Sequence, residues 1–308
     1  MYEKFFSLEE TPFVLTPDPK VLFRSKTHHE ILSALLYGVT SQKGVMTLIG
    51  DVGTGKTTLA RALLRELPKD IHSALVLNPH LSGAELVGAI LDDLGVERRG
   101  ATKGELMTHL SEHLLEAGAR GTKVVVVVDE AQQMSVEALE QIRILSTLET
   151  PTQKLLQIVL AGQPELEALL KRHELRQLDQ RVGVRCYLPP LDQRATERYI
   201  EHRLRAAGLD GSVPFTPGAM FLIYRHSRGI PRVINLVCDR ALLAAYHAHA
   251  SSVSAALARA AIGTLEGSPR RRRVVTRRTA MAAAAVGVLA LGAVGAGAYR
   301  ARARQAAE

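Results

Sequence analysis

Eight consecutive residues, Gly50-Asp51-Val52-Gly53-Thr54-Gly55-Lys56-Thr57, follow the pattern G-x-x-x-x-G-K-[ST], the spacing of a phosphate-binding loop. Glycines let the backbone curl so that successive N–H groups converge on an anion. A helix that follows adds its own unpaired N–H groups and the positive end of its dipole. Lys56 is expected to reach the β- and γ-phosphates and the Thr57 hydroxyl to occupy one position on Mg²⁺. Thr58, the next residue, completes the binding set 50–58. The chemistry this spacing specifies is capture of a nucleoside triphosphate with magnesium; the loop residues alone do not separate ATP from GTP.

Hydrolysis needs more than a cradle. The run Val124-Val125-Val126-Val127-Val128 ends in Asp129-Glu130. Asp129 is the candidate carboxylate for Mg²⁺, and Glu130 the candidate base for an attacking water. A second apolar run, Lys154 to Ala161, ends in Gly162-Gln163-Pro164. A polar side chain at such a strand tip can reach between a γ-phosphate and the water, which makes Gln163 a candidate sensor. The alternative is an amide in the turn before a helix, with Pro164 at its first position. Arginines aimed at a γ-phosphate stabilise charge in the transition state. The candidates are Arg181 and Arg185, ahead of Cys186-Tyr187-Leu188, and Arg232 in Gly229-Ile230-Pro231-Arg232. By composition alone each of these arginines reads as a surface ion-pair residue.

These residues need elements to hold them. Gly44–Ile49 is a short apolar run suited to a buried strand, and Thr58–Leu64 has helical spacing, the strand–loop–helix context that a phosphate-binding loop requires. Five valines in a row bury both faces, as in a central parallel strand. Strands are expected at about 44–49, 73–77, 123–128, 155–161 and 184–188, alternating with helical stretches. That alternation gives an α/β fold with a parallel sheet and helices on both faces, with ligands at the carboxyl ends of the strands. From about Leu191 to Ala261 the pattern is helical throughout, and Thr216-Pro217 reads as an N-cap followed by a proline at the first helical position. Residues 1–25 hold three prolines and several aromatics and exclude a continuous helix. Two cysteines, Cys186 and Cys238, cannot form a disulfide framework. The eleven histidines are scattered, and His28-His29 and His247/His249 read as surface residues rather than ligands.

The whole constellation resembles the AAA+ ATPases, and more narrowly those of the general secretion pathway protein A (ExeA) type. The resemblance spans residues 1 to about 260. It is carried by Phe5-Phe6-Ser7-Leu8 with Pro12-Phe13, Thr16-Pro17-Asp18-Pro19, Leu36-Tyr37-Gly38, Asp129-Glu130-Ala131-Gln132, Leu160 to Leu166 and Gly229 to Asn235. It implies a P-loop NTPase (AAA+) domain over 1–190 and a small helical lid over 191–266. It also implies adenine preference and Arg232 as a sensor of the nucleotide state beside Gln163, and an N-terminal segment that wraps near the adenine, the alternative being simple packing onto the domain surface. Arg181 corresponds to the arginine finger that reaches a neighbouring subunit's nucleotide, with Arg185 as its rival, so a homo-oligomer is expected.

The net charge of +8 suggests nucleic acid at first sight. Residues 270–308 alone carry nine arginines and one acid, leaving thirty basic and thirty acidic residues in 1–269, so a nucleic-acid partner is not expected from the global balance. The tail divides into a basic linker (267–278), an uncharged stretch (279–299) and a short end (300–308). Nineteen residues without a charge, Ala280 to Ala298, at about 1.5 Å rise each approach the ~30 Å bilayer core. Six arginines precede the stretch and three follow it, which orients its N-terminal side to the cytoplasm. Nine alanines and four glycines make insertion marginal, and an Ala-rich soluble helix or a disordered tail are the alternatives. The expectation is a single-pass anchor in a bacterial inner membrane, with envelope secretion or export proteins as partners. The family's long members continue into a periplasmic region that binds peptidoglycan. This sequence ends at Glu308, and envelope contact is expected through the anchor or a partner.

Overall fold

The computed structural model describes residues 1–15, 22–100 and 102–266. Five parallel strands form its sheet: β1 (Val45–Gly50), β2 (Ile71–Val76), β3 (Lys123–Val128), β4 (Leu156–Gly162) and β5 (Val182–Leu188), in the order β2-β3-β4-β1-β5. The five-valine run lies second from one edge and is buried on both sides. Val124, Val126 and Val128 face one apolar layer, whereas Val125 and Val127 face the other. The first layer is built from α3 (Gly83–Asp93), α4 (Lys103–Ala119) and α5 (Val136–Leu145) through residues such as Leu86, Ile90, Leu110, Leu114, Leu139 and Ile142. The second comes from α1 (Lys26–Thr40) and α2 (Lys56–Glu66) through Leu32, Leu35, Val39, Leu59 and Leu63. Each completely buried leucine in these layers is worth about 1.5–3 kcal/mol of transfer free energy. Capping boxes, Ser82 with Glu85 and Thr102 with Glu105, set the starts of α3 and α4.

Two short helices, α6 (Pro164–Leu170) and α7 (Arg176–Arg181), connect β4 to β5. After β5 the chain is helical: α8 (Gln193–Ala206), α9 (Pro217–Ser227), α10 (Pro231–His247) and α11 (Ala255–Leu265). Thr216 caps α9 by accepting from the Ala219 N–H, with Pro217 in the first turn. These helices have an apolar core of their own, including Ile200, Leu204, Ile223, Ile234, Val237 and Leu242.

The N-terminal segment joins that helical core rather than the sheet domain to which a 1–190 division assigns it. Tyr2, Phe6, Leu8 and Phe13 are buried among the helices after β5. Residues Met1–Ile262 accordingly form one compact unit. The aromatics explain the placement: Phe13 packs edge-on to Phe215 and Phe5 to Tyr246, and such pairs add to burial. Among the described residues no helix is long and apolar enough to cross a membrane. The stretch 279–299, on which the expected anchor rests, lies outside the described residues.

Candidate functional site

β1 ends at Gly50, the loop 51–55 follows, and α2 begins at Lys56. Gly55, at the helix N-cap, has φ of 105°, a left-handed conformation that a side chain would strain. Thr54 closes the loop by donating its hydroxyl to the Asp51 carbonyl at 2.8 Å. Lys56 is buried and its Nζ donates to the same carbonyl at 3.0 Å. Burial pushes the Lys56 ammonium below its usual pKa, while Glu130, Asp129, Asp51 and Glu165 pull it back up. The charge is therefore held in a poorly solvated place, where its attraction for an anion is strengthened.

The Thr57 hydroxyl donates to Asp129 Oδ2 at 2.6 Å. A hydroxyl and a buried carboxylate that meet at this distance are both hard oxygen donors, the set that suits Mg²⁺. Asp129 Oδ1 in turn accepts from the Glu130 N–H at 2.9 Å. Glu130 itself is left-handed, at φ 52° and ψ 33°. Its carboxylate oxygen Oε2 accepts from Gln163 Nε2 at 3.2 Å and from Gln132 Nε2 at 2.7 Å. Gln163 sits at the N-cap of α6 with Pro164 in the first turn, yet its side chain makes no cap bond and goes to Glu130 instead. β4 lies between β1 and β3, so its tip separates the loop from the acids.

A cleft of about 320 Å³ runs from the loop to the helical layer. Its phosphate end is lined by residues 52–58, Glu130 and Arg232, and its other end by Val14, Leu15, Leu22, Phe23, His28, Leu191 and Tyr199. Arg232, in the first turn of α10, reaches this wall by a backbone contact: its N–H donates to the Gly53 carbonyl at 3.2 Å. Residues 12–14 are pinned beside the apolar end by Arg203 Nε to the Pro12 carbonyl at 2.7 Å and by Asn235 Nδ2 to the Val14 carbonyl at 3.4 Å. The Tyr199 hydroxyl donates to Asn235 Oδ1 at 2.9 Å and orients that amide.

Of the residues singled out in the sequence, 50–58, Asp129, Glu130, Gln163 and Arg232 converge on one region. Arg181 and Arg185 do not. Val182 is level with Val45 at the start of β1, and Leu188 with Gly50 at its end. Six residues at roughly 3.3 Å each place Arg181 about 20 Å from its own loop. Arg181 Nη1 donates to the Ser146 carbonyl at 3.4 Å, and Arg185 is held by Asp179 at 2.8 Å.

Two polar residues take places that the sequence does not announce, His28 in the cleft and Gln132 beside Glu130. His28, expected on the surface, is buried and lines the cleft, its Nδ1 2.7 Å from Ser25 Oγ. Its signal was the Ser25 N-cap one turn earlier, which aims the first turn of α1 inward. Gln132 was noticed only as part of a family string; its place two residues after the acids gives no period to read.

A glycine loop feeding a helix, a Thr–Asp pair beside it and an arginine-bearing helical layer define a P-loop nucleotide-binding protein of the AAA type. The AAA domain family model matches residues 39–170. General secretion pathway protein A of Aeromonas hydrophila is 45% identical over 247 residues, 80% of this chain and 45% of that protein. The ATP-dependent target DNA activator B of Escherichia phage Mu is 24% identical over 143 residues, 46% of this chain and 42% of that one. The Aeropyrum pernix ORC2 structure superposes with a TM-score of 0.63 at 19% identity, over 83% of this chain and 71% of that chain; that likeness is one of fold. The chain carries an AAA domain over residues 39–170 and is similar to general secretion pathway protein A over 80% of its own length. It spans less than half the length of that relative.

Proposed function

We propose that this protein hydrolyses ATP to ADP and phosphate with Mg²⁺, as an oligomer anchored to the cytoplasmic face of a bacterial inner membrane. The observation that carries the hydrolytic part is the Thr57–Asp129 hydrogen bond of 2.6 Å, with Glu130 next in sequence and at the same cleft. Lys56 and the loop N–H groups bind the phosphates. Thr57 and Asp129 would hold Mg²⁺, which would supply charge neutralisation on the phosphates. Glu130 accepts the proton of the attacking water. Gln163 and Arg232 report the state of the γ-phosphate. Arg181, too far from its own loop, completes a neighbour's site, and this geometry is what favours an oligomer.

The envelope role draws its support from the 45% identity to a general secretion pathway protein, together with the uncharged stretch 279–299 and its flanking arginines. Turnover would drive assembly or transport by a secretion or exopolysaccharide-export machine. The test is Glu130→Gln in the full chain: ATP binding is kept and turnover falls by about 10²–10⁴. Wild-type turnover in that variant would refute the assignment of the base. Crosslinking of the same ATP-trapped variant in membranes should recover secretin, pilus or polysaccharide-export components. A second reading, ATP-dependent DNA binding, is favoured by the similarity to the phage activator. It requires salt-sensitive DNA binding by residues 1–266, against the equal numbers of basic and acidic residues in 1–269.

A further inference from the structure

We propose that Gln132 is the positioning residue of this site, tying the Glu130 carboxylate to the tip of β4 and fixing which of its oxygens faces the water. The inference rests on the hydrolytic reading above. A 3-10 turn, Ala131–Gln133, follows left-handed Glu130 and folds the chain back. The turn is closed by the Gln133 N–H to the Glu130 carbonyl at 2.9 Å. It returns the Gln132 side chain to its own neighbour. Both ends of that amide are used: Nε2 donates to Glu130 Oε2 at 2.7 Å, and Oε1 accepts from the Gln163 N–H at 3.0 Å. The two partners leave one orientation of the amide, since a carboxylate cannot donate and a backbone N–H cannot accept.

The two glutamines hold Glu130 differently. Gln163 holds it with a side chain, the same group that must turn away to read a γ-phosphate. Gln132 is anchored on the Gln163 main chain, which stays in place when that side chain turns. Its hold on Glu130 therefore outlasts any movement of the sensor amide. Both amides bond to Oε2, so Oε1 is the oxygen left to accept a proton from water. The β4 tip is shaped for this contact as well. A Cβ on Gly162 would stand 2.9 Å from Gln132 Oε1, so a larger residue there would press on the bridging amide.

The experiment compares the full-length wild type, Gln132→Ala, Gln132→Glu and the Glu130→Gln, Gln132→Ala double variant. It measures ATP binding, single-turnover hydrolysis and the pH–rate profile. Loss of a hydrogen bond to a charged group predicts a kcat lower by about 10- to 100-fold in Gln132→Ala, with ATP affinity and melting temperature unchanged. Gln132→Glu keeps the side-chain shape but sets a second carboxylate beside Glu130. Like charge disfavours ionisation of the base, so the acid limb of the rate profile moves to higher pH, which a purely structural role would not produce. In the Glu130→Gln background Gln132→Ala adds little, because two residues that act as a unit are not additive. A wild-type kcat in Gln132→Ala, an unmoved acid limb in Gln132→Glu, or full additivity in the double variant would each overturn the proposal. Absence of hydrolysis by the wild type would instead refute the hydrolytic reading itself.

Discussion

The helical layer touches the phosphate loop through residues just after Gly229, and that glycine offers a sharp perturbation. Gly229 has φ of 77°, and a Cβ added there would lie 1.8 Å from the Leu191 carbonyl oxygen. Its own carbonyl accepts from the Leu191 N–H at 2.9 Å. In Gly229→Ala the left-handed conformation costs roughly 1–2 kcal/mol. The clash is with backbone, which cannot swing aside, so the Leu191 bond opens and costs about 1 kcal/mol more. The sum, about 2–3 kcal/mol, corresponds to roughly 5–10 °C in melting temperature for a unit of this size. Arg232 is three residues on and is fixed to Gly53 by its own N–H. The displacement therefore carries to the phosphate end of the cleft, and ATP affinity is expected to fall as well as stability. Gly211→Ala is the control, because a Cβ there meets nothing within 4 Å. Scanning calorimetry and titration with a fluorescent ATP analogue read both quantities. If Gly229→Ala melts and binds like Gly211→Ala, the coupling through the Leu191–Gly229 junction is wrong.

Three further outcomes follow from the site. His28 has its pKa lowered, first by burial and then by His29; the unfolded chain, with histidine near 6.5, binds the extra proton first. Stability is therefore complete above about pH 6.5 and is lost as pH falls from there towards the folded pKa, by at most about 1.4 kcal/mol per pH unit from this group. His28→Gln should flatten that slope in pH-dependent chemical unfolding; His113, shifted the same way, keeps part of it. Arg181→Ala should abolish turnover with ATP binding kept, and mixing it with Lys56→Ala should restore measurable activity, since each supplies what the other lacks; no recovery would refute a finger acting in trans. Cys186, pushed up to about 11 by burial, and Cys238, raised well above the usual thiol range by complete burial, should resist thiol reagents at neutral pH until the protein unfolds.

The loop residues proposed to hold phosphate were legible because backbone geometry dictates them. A loop that wraps an anion needs glycine at set places, and the strand before the acids needs apolar residues on both faces. The strands observed at Val45–Gly50, Lys123–Val128 and Leu156–Gly162 lie within a residue or two of the expected runs. Strand order was not legible, since each run specifies burial and not its neighbour. Only the pairing of β4 with both β1 and β3 explains why Gln163 meets Glu130. The N-terminal segment was misplaced for a related reason. Its aromatics declare that they will be buried, but the surface that buries them is formed by helices about 200 residues later. His28 and Gln132 are positioned by a cap and by a turn, single local events without a period.

Binding and hydrolysis need not depend on the same surfaces. Every group proposed to grip a nucleotide in the cleft belongs to one chain: the loop, the Thr57–Asp129 pair, Arg232, and the segment 12–14 pinned by Arg203 and Asn235. The helical layer holds both ends of that cleft, through α8 and α10 at the apolar end and through Arg232 at the phosphate end. A nucleotide seated there would bridge sheet and helices beside the Arg232 N–H, which donates to the Gly53 carbonyl at 3.2 Å. Arg181, the proposed finger, lies about 20 Å from the loop, at the opposite end of the strands. On the proposed reading one chain binds ATP by itself, and rapid turnover requires a second chain to present Arg181. Affinity for ATP should be independent of protein concentration and turnover per chain should rise with it, so measuring both on one dilution series separates the grip from the finger.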